Sequence, residues 1–496
     1  MSDALFVSGD FSGIQDYVLN VSAAGGGQAR RLRARSFYVQ AAGEVAAWKA
    51  LRAFGCGPEA ELMSGGGQFL LRLPASTDAE TKLRQLAEEL SRALYVETHG
   101  ELGLTLGWGR SRTEALRHKE REKRRLWCAV VASADGWRTE AMSLEEIAPP
   151  CQICRRRMAT TQDVDGELVC GRCDGDTRIG KELPSVKVVG LGGLPSDFSV
   201  LGTSVHLHRD GSVLPGESPV PRSLGRHVPV DESGSPLTFE QIAGQAKGDN
   251  LLAILKADVD SMGKKLGEIE RQDPSLEKIR ELSSELENFF AARVQQELEG
   301  ADWRLIYTIY SGGDDLLLVG PWNIMLDFAG WVHQAFEEGP GKKYKLTLSA
   351  GIALTPYRLP VRHAVRRADD LLEQAKTEPK NRCAALGSVW DWNRHEAILS
   401  QARAIVRWVE AKVCGRALIH RLLALAESKD PKKAALWAYE VGRNFPRRDA
   451  RSPEEGELRR WGEQVLAGFH DGGDVGLSEV SVALRYVLIA TRPRRD

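Results

Sequence analysis

Between residues 250 and 376 the spacing of apolar positions changes character several times, and each change marks an element. Leu251-Leu252-Ala253-Ile254-Leu255 is an unbroken apolar run, the pattern of a strand covered on both faces. It ends in Ala257-Asp258-Val259-Asp260 and runs on into Ser261-Met262-Gly263-Lys264, ahead of helical sequence. Helical spacing then predicts a long helix over 275–299. Two apolar runs, 305–310 and 316–319, flank Ser311-Gly312-Gly313-Asp314-Asp315 and predict a β-hairpin with glycines at its tip. A helix over 322–338, a strand over 345–354 and a helix over 361–376 complete the order β-α-β-β-α-β, the split βαβ arrangement. Its first and third strands are antiparallel neighbours, so Asp258 falls beside Asp314 and Asp315.

Residues 1–135 read as a second, decayed copy. The strand at 5–8 leads to Asp10 and Ser12, matching Asp258 and Asp260. Ser64-Gly65-Gly66-Gly67-Gln68-Phe69-Leu70-Leu71 matches 311–318, and Leu104-Thr105-Leu106 matches 346–348. Asp10 and Gly67 are 57 residues apart, against 56 for Asp258 and Asp314, and shared motif with shared spacing is a repeat signal. Gly67 and Gln68 stand where the other copy has its two aspartates, so the first copy keeps Asp10 without the rest of the set. It is expected to be catalytically inactive and to hold a second nucleotide in a shared cleft, unless it is only a structural repeat.

Gly and Asp are ordinary turn residues, and a solvated turn carries the same letters. Asp258 changes the picture: three carboxylates meeting from two strands repel one another unless a cation compensates them, and all-oxygen ligation favours Mg²⁺ or Mn²⁺. Two such ions, roughly 3.5–4 Å apart, support nucleotidyl transfer with a pyrophosphate leaving group. Asp258 and Asp314 are the expected ligands, with Asp315 beside them; Asp260 either binds the second ion or positions the loop. Ser261, Met262 and Gly263 are expected to cradle phosphates through backbone N–H groups. Ser311, with Gly312 and Gly313, either approaches the nucleotide or shapes the turn, and Lys376 reaches the triphosphate unless it is a surface helix lysine.

Asp258-Val259-Asp260, Ser311–Asp315 and Ala375-Lys376 with Lys380-Asn381 resemble the palm domains of GGDEF-type nucleotide cyclases. With Gly9-Asp10-Phe11-Ser12-Gly13 and Arg33-Ala34-Arg35-Ser36-Phe37-Tyr38 added, the chain looks like the large palm-domain subunit of type III CRISPR effector complexes, up to about residue 386. That resemblance implies synthesis of cyclic oligoadenylates from ATP when the complex binds target RNA. It also implies guide RNA and other complex subunits as partners, and a C-terminal region that docks small helical subunits. Many members carry an N-terminal nuclease domain built around a His-Asp pair, whereas this sequence starts in the first palm; its one His-Asp dipeptide, His470-Asp471, reads as a loop, and DNA cleavage is not expected.

Cys151-x-x-Cys154 and Cys170-x-x-Cys173, fifteen residues apart, match a closed four-thiolate structural zinc site. Two redox pairs are the alternative, without the thioredoxin-like surroundings. Residues 177–248 are rich in Gly, Pro and Ser with short β-like pieces; His206, His208 and His227 there read as surface side chains. From 391 on the spacing is helical, a scaffold bundle. The expected architecture is α/β (α+β): an inactive ferredoxin-like palm at 1–135, a zinc-knuckle and linker subdomain at 136–244, an active palm at 245–390 and a helical domain at 391–496.

The formal charge of −1 over 496 residues provides no overall basic field, so any nucleic-acid contact must be local. Arg30-Arg31-Leu32-Arg33-Ala34-Arg35, after Gly25-Gly26-Gly27, reads as a loop contacting the phosphates of RNA or nucleotide, and Lys119–Arg125 as a solvated helix face. No signal peptide and no membrane span are read, so a cytoplasmic protein is expected. Two other readings stand beside the oligoadenylate one: a cyclic dinucleotide cyclase, and an RNA-binding scaffold whose palms are vestigial.

Overall fold

The computed structural model describes residues 4–21, 27–65, 67–132, 149–163, 166–196, 198–220, 227–232, 234–273, 276–430, 432–445, 452–468 and 475–493. Its centre is a six-stranded sheet in the spatial order Tyr307–Gly312, Asp315–Pro321, Leu251–Val259, Leu348–Pro356, Arg382–Ala385, Ser388–Asp391. Leu251–Val259 lies between two antiparallel neighbours, which is why its sequence is apolar almost without interruption. The last two strands extend the predicted split βαβ unit; Arg382–Ala385 pairs parallel with Leu348–Pro356. The predicted helix over 275–299 begins at Glu277 and passes through a π-helical segment, Asn288–Arg293, before Val294–Leu298.

The first half has the same unit in four strands, ordered Glu61–Gly65, Gln68–Pro74, Ala4–Ser12, Gly103–Gly109. Its register repeats that of the second: Asp10 pairs with Gln68 and Thr105, as Asp258 pairs with Asp315 and Ser349. Alternation along Leu251–Val259 divides the core. Ala253, Leu255 and Ala257 pack with the helices Glu277–Glu287 and Trp322–Phe336 and with the C-terminal helices. Leu252 and Ile254 pack with the first half. Lys256, Asp258 and Asp260 continue this second face at period two, so the polar end of the central strand is turned toward the other palm.

Cys151 and Cys154 lie on a turn ahead of the two-stranded piece Thr161–Gln162 with Leu168–Val169; Cys170 caps the helix Gly171–Glu182, whose first turn carries Cys173. A further four-stranded sheet, ordered Glu217–Pro219, Val188–Gly192, Thr203–His208, Ser199–Val200, fills the stretch read as irregular. Its histidines are not free surface groups: His208 Nε2 lies 2.6 Å from a Glu217 oxygen and His206 Nε2 3.0 Å from the Leu194 carbonyl. His227 lies 3.1 Å from the Arg304 carbonyl. Among the described residues, five helices from Trp392–Glu410 to Val475–Ala490 form the C-terminal layer, with Trp437 and Ile419 fully buried in it. His470-Asp471 lies outside the described residues.

The arginine-rich stretch is the largest departure from expectation. It is not a phosphate loop but the start of the 26-residue helix Gln28–Ala53, with Arg31, Arg33 and Arg35 buried. Arg31 Nη2 pairs with Asp163 at 2.5 Å and Arg35 Nε with Asp176 at 3.0 Å. Arg33 donates to the Gly180 carbonyl at 2.5 Å and to the Tyr307 hydroxyl at 2.8 Å. The Arg31 and Arg35 charges are compensated by carboxylates more than 120 residues away, and the three arginines together tie the cysteine knuckle to both palms.

Candidate active site

Asp258 is brought opposite Asp315 by the pairing of Leu251–Val259 with Asp315–Pro321. Asp314 is at the hairpin tip, where its carbonyl accepts the Val259 N–H at 3.0 Å. The expected convergence on two strands is therefore present, but the three carboxylates do not close into one cage. Among the described residues, the only cluster of three or more His, Cys, Asp or Glu ligand atoms within 4.8 Å of one another is that of the four cysteines. An open set of carboxylates suits Mg²⁺, which keeps few protein ligands and takes the remainder from substrate phosphates and water.

The electrostatics call for a cation. Burial pushes the Asp315 carboxyl up to about 7, helped by the neighbouring Asp314 charge, while Lys256 opposes the rise. Asp315 Oδ1 is buried without a hydrogen-bond partner. Burial also raises Asp314. An unpartnered Asp315 oxygen beside a second buried carboxylate fits a divalent ion. The Lys376 ammonium forms an ion pair with Asp258; burial, with Lys380 and Lys256 close by, lowers Lys376 to about 8. Lys256 is itself tied to Asp369 on the same helix as Lys376.

Two expected site residues have other work. Asp260, 3% exposed, accepts from Thr347 Oγ1 at 2.7 Å, Ser349 Oγ at 2.9 Å and the Asn381 N–H at 3.1 Å. Its oxygens are already satisfied, so of its two readings the structure favours positioning the loop. Ser311, 1% exposed, donates to the Phe290 carbonyl and shapes the turn. The tip is braced from outside the motif. Glu287 accepts the Gly313 N–H at 2.9 Å, and the Tyr310 hydroxyl donates to the Gly312 carbonyl at 2.9 Å. Glu287 had no sequence signal, because it lies 26 residues upstream at the start of the π-helical segment. Ser261, at φ 59°, leads into the helix Met262–Gln272, which places Met262 and Gly263 at a helix N-terminus beside Asp258; Lys380 donates to Ser261 Oγ at 3.0 Å.

The first palm retains more than its sequence suggests. Lys123 donates to Asp10 at 2.9 Å, with Lys119 Nζ 3.9 Å away. A Cβ added at Gly107 would run into the backbone of Ala115 and Lys119, as one at Gly351 would into that of Ala368 and Leu372, which aligns Lys123 with Lys376. The Asp–Lys pair is therefore duplicated. Unequal loops between strand and helix hide this correspondence from simple counting. The two hairpin tips also meet: a Cβ added to Gly65 would lie 2.8 Å from the Gly313 Cα.

The four Sγ atoms lie within 4.8 Å of one another, Cys154 and Cys170 being 3.9 Å apart. A tetrahedral thiolate shell with Zn–S bonds of about 2.3 Å has edges of about 3.8 Å, so the donors fit zinc. The Arg35 Nη2 donates to Cys173 Sγ at 3.6 Å.

Two split βαβ sheets facing one another, one with a Gly-Gly-Asp-Asp hairpin and the other without it, define a tandem-palm protein. Residues 251–384 match the family model "Cas10/Cmr2, second palm domain", and residues 3–147 match "Csm1 subunit domain B". Both palms are thus similar to domains of the Cas10/Csm1 family of type III CRISPR large subunits. The Cas10/Csm1 single-strand-specific deoxyribonuclease of subtype III-A from Thermococcus onnurineus is 26% identical over 89% of this chain and 65% of its own length. The protein of the same description from Enterococcus italicus is 24% identical over 89% of this chain and 62% of its own length. The chain thus spans somewhat under two thirds of these relatives. Among solved structures, the Csm1-Csm4 cassette in complex with pppApApA superposes with a TM-score of 0.72 at 19% identity, covering 99% of this chain and 70% of that one. The apo cassette gives 0.73 at 21% identity over the same shares. At these identities the likeness establishes the fold. Among the described residues no helix is long and apolar enough to cross a membrane.

Proposed function

We propose that this chain is the cyclic oligoadenylate synthase subunit of an RNA-guided type III CRISPR complex, acting in the cytoplasm with guide RNA, target RNA and the other subunits as partners. The 3′-hydroxyl of one ATP attacks the α-phosphorus of another; the O3′–Pα bond forms, the Pα–O–Pβ bond breaks, pyrophosphate leaves and the hydroxyl proton departs to solvent. Repetition and a final intramolecular attack close the ring. The observation that carries this reading is the asymmetry of the palms: Asp258, Asp314, Asp315 and Lys376 together in one, and only the Asp10–Lys123 pair in the other. Csm1-Csm4 cassettes of the same fold bind pppApApA, AMPPNP, cA3 and cA4, which supports adenosine nucleotides as the substrate class.

Asp258, Asp314 and Asp315 are assigned to hold two Mg²⁺ or Mn²⁺ ions, which supply charge neutralisation at the transferring phosphate. Lys376, which pairs with Asp258 here, is assigned to the triphosphate, while Gly263 and its neighbours would orient the phosphates. In the first palm Lys123 is assigned to the acceptor's triphosphate, holding its hydroxyl within attack distance. Cys151, Cys154, Cys170 and Cys173 hold a structural zinc. The proposal concerns nucleotidyl transfer; the deoxyribonuclease activity in the relatives' names stays with those proteins.

The test is mass spectrometry of products from separate ATP and GTP incubations of the assembled, target-bound complex, with Asp314→Ala/Asp315→Ala as control. Oligoadenylate rings from the parent chain alone are expected. Products from GTP only would replace this reading with a dinucleotide cyclase, and no product from either would leave a scaffold.

A further inference from the structure

The helix Arg112–Ala132 has two faces of different use. Its inward Lys119 and Lys123 surround Asp10. On its outward side Arg117, Arg121 and Arg124 are exposed and form no ion pair or hydrogen bond with any described residue. These three, with Arg84, Trp108 and His118, line a groove of about 640 Å³. Trp108 is fixed in it: the His118 ring meets it edge-on at 4.3 Å, and the Arg84 guanidinium lies 5.7 Å over its ring. The groove's carboxylates are already engaged. Glu80 pairs with Arg84 at 2.6 Å, Glu114 accepts the Arg110 N–H at 2.8 Å and Glu122 pairs with Arg125 at 3.0 Å.

Three guanidinium groups without ion pairs, in a groove of five arginines and three glutamates, are a local positive excess of two in a chain of net charge −1. Arg117, Arg121 and Arg124 follow i, i+4, i+7 spacing, one stripe about 10 Å long. About three successive phosphates of a nucleic-acid strand occupy that length. A basic groove with an aromatic ring in its wall is the arrangement that tracks a single strand's backbone. We propose that this groove binds the phosphodiester backbone of a single-stranded nucleic acid. It rests on the reading above only in the choice of RNA as first probe. The consequence for the reaction is positional: a strand seated on the outward stripe bears on the helix whose inward face sets Lys123 against Asp10.

The test is fluorescence anisotropy of the full chain with a labelled 20-nucleotide polyuridine RNA and, in a separate arm, polythymidine DNA, titrated over a salt series without ATP. Arg117→Gln/Arg121→Gln/Arg124→Gln is expected to weaken binding at least about tenfold and to reduce the slope of log K against log salt by about 2, from three contacts at about 0.7 each. Lysines at the same positions should keep the slope. Preference for one polymer identifies the strand; equal binding supports recognition of the shared backbone. Unchanged affinity and slope in the glutamine variant, or an equal loss with lysines, overturns the proposal. If the glutamine variant fails to fold, photocrosslinking of the parent chain to 4-thiouridine RNA decides: adducts between Trp108 and Arg125 support it, and adducts only elsewhere overturn it. No RNA or DNA binding by the parent chain, with intact ATP conversion, would reject this groove alone, whereas binding by the parent chain without ATP conversion would reject only the reaction.

Discussion

The two palms have the same strand register around Asp10 and Asp258, and both hold that aspartate against a lysine eight residues beyond the same helix–strand contact. They part at the hairpin. In the second palm the tip delivers Asp314 and Asp315; in the first, Gly67 and Gln68 occupy those places. On the proposed reading, what has diverged is the capacity to hold metal, while the lysine assigned to a phosphate persists in both. The proposed reaction needs only the donor's phosphorus to be activated, so one full set of carboxylates and one reduced set suffice for it.

The widest separation between the palms is expected from their aspartates. Asp314→Ala should lower ATP conversion by at least about 10³-fold, equivalent to about 4 kcal/mol of barrier. Asp10→Ala should leave a measurable rate with a raised KM. Comparable losses in both variants, measured as initial rates of pyrophosphate release, would erase the division of roles.

Next is the scaffold that each palm leans on. The second is backed by the C-terminal helices; the first is bound to the cysteine knuckle through buried arginines. Arg35 donates to the Tyr17 carbonyl at 2.9 Å and the Asn20 carbonyl at 3.0 Å while pairing with Asp176, so it fixes the end of the helix Ile14–Leu19 as well. Arg35→Ala leaves Asp176 buried beside only Arg172 and should cost about 3 kcal/mol, read as a lower denaturant midpoint. A matched loss on zinc chelation, in the order of melting of the two halves by hydrogen exchange, would confirm that the knuckle serves the first palm.

Smaller again is the effect of the duplicated lysine. Lys123→Ala should raise KM for ATP about tenfold with little change in kcat, because it removes binding that is equal in ground and transition states. Lys376→Ala should lower kcat as well. If Lys123→Ala leaves KM unaltered, the first palm's pair is only a structural remnant.

How far all this was readable from sequence differs by kind of interaction. Period-two and helical patterns with turn glycines carry their own structural instruction, so the β-α-β-β-α-β order, the Asp258–Asp315 pairing and the internal repeat were legible. The roles of charged side chains were not, because each is set by a partner remote in the chain. Arg31 and Arg35 look like RNA contacts until Asp163 and Asp176 are placed against them, and Asp260 looks like a metal ligand until Thr347 and Ser349 take its oxygens. The Asp10–Lys123 pair was hidden by a difference in loop length.

The subtlest test tries to reverse the divergence. Restoring both carboxylates with Gly67→Asp/Gln68→Asp would recreate a second metal site if only side chains had been lost. The backbone argues otherwise. Gly67 sits at φ 77°, in the left-handed region, whereas its counterpart Asp314 is not among the positive-φ residues. An added Cβ would also lie 2.4 Å from Ile14 Cδ1. An aspartate there should therefore cost about 1–2 kcal/mol in backbone strain, before the Ile14 side chain shifts. Gln68 is an exposed strand residue whose replacement is nearly neutral. The double variant should melt slightly earlier and, combined with Asp314→Ala, restore no ATP conversion. Recovery of activity in that triple variant would show the first hairpin to be only two side chains short of a working site; its absence, with the small drop in melting temperature, would place the divergence in the path of the main chain.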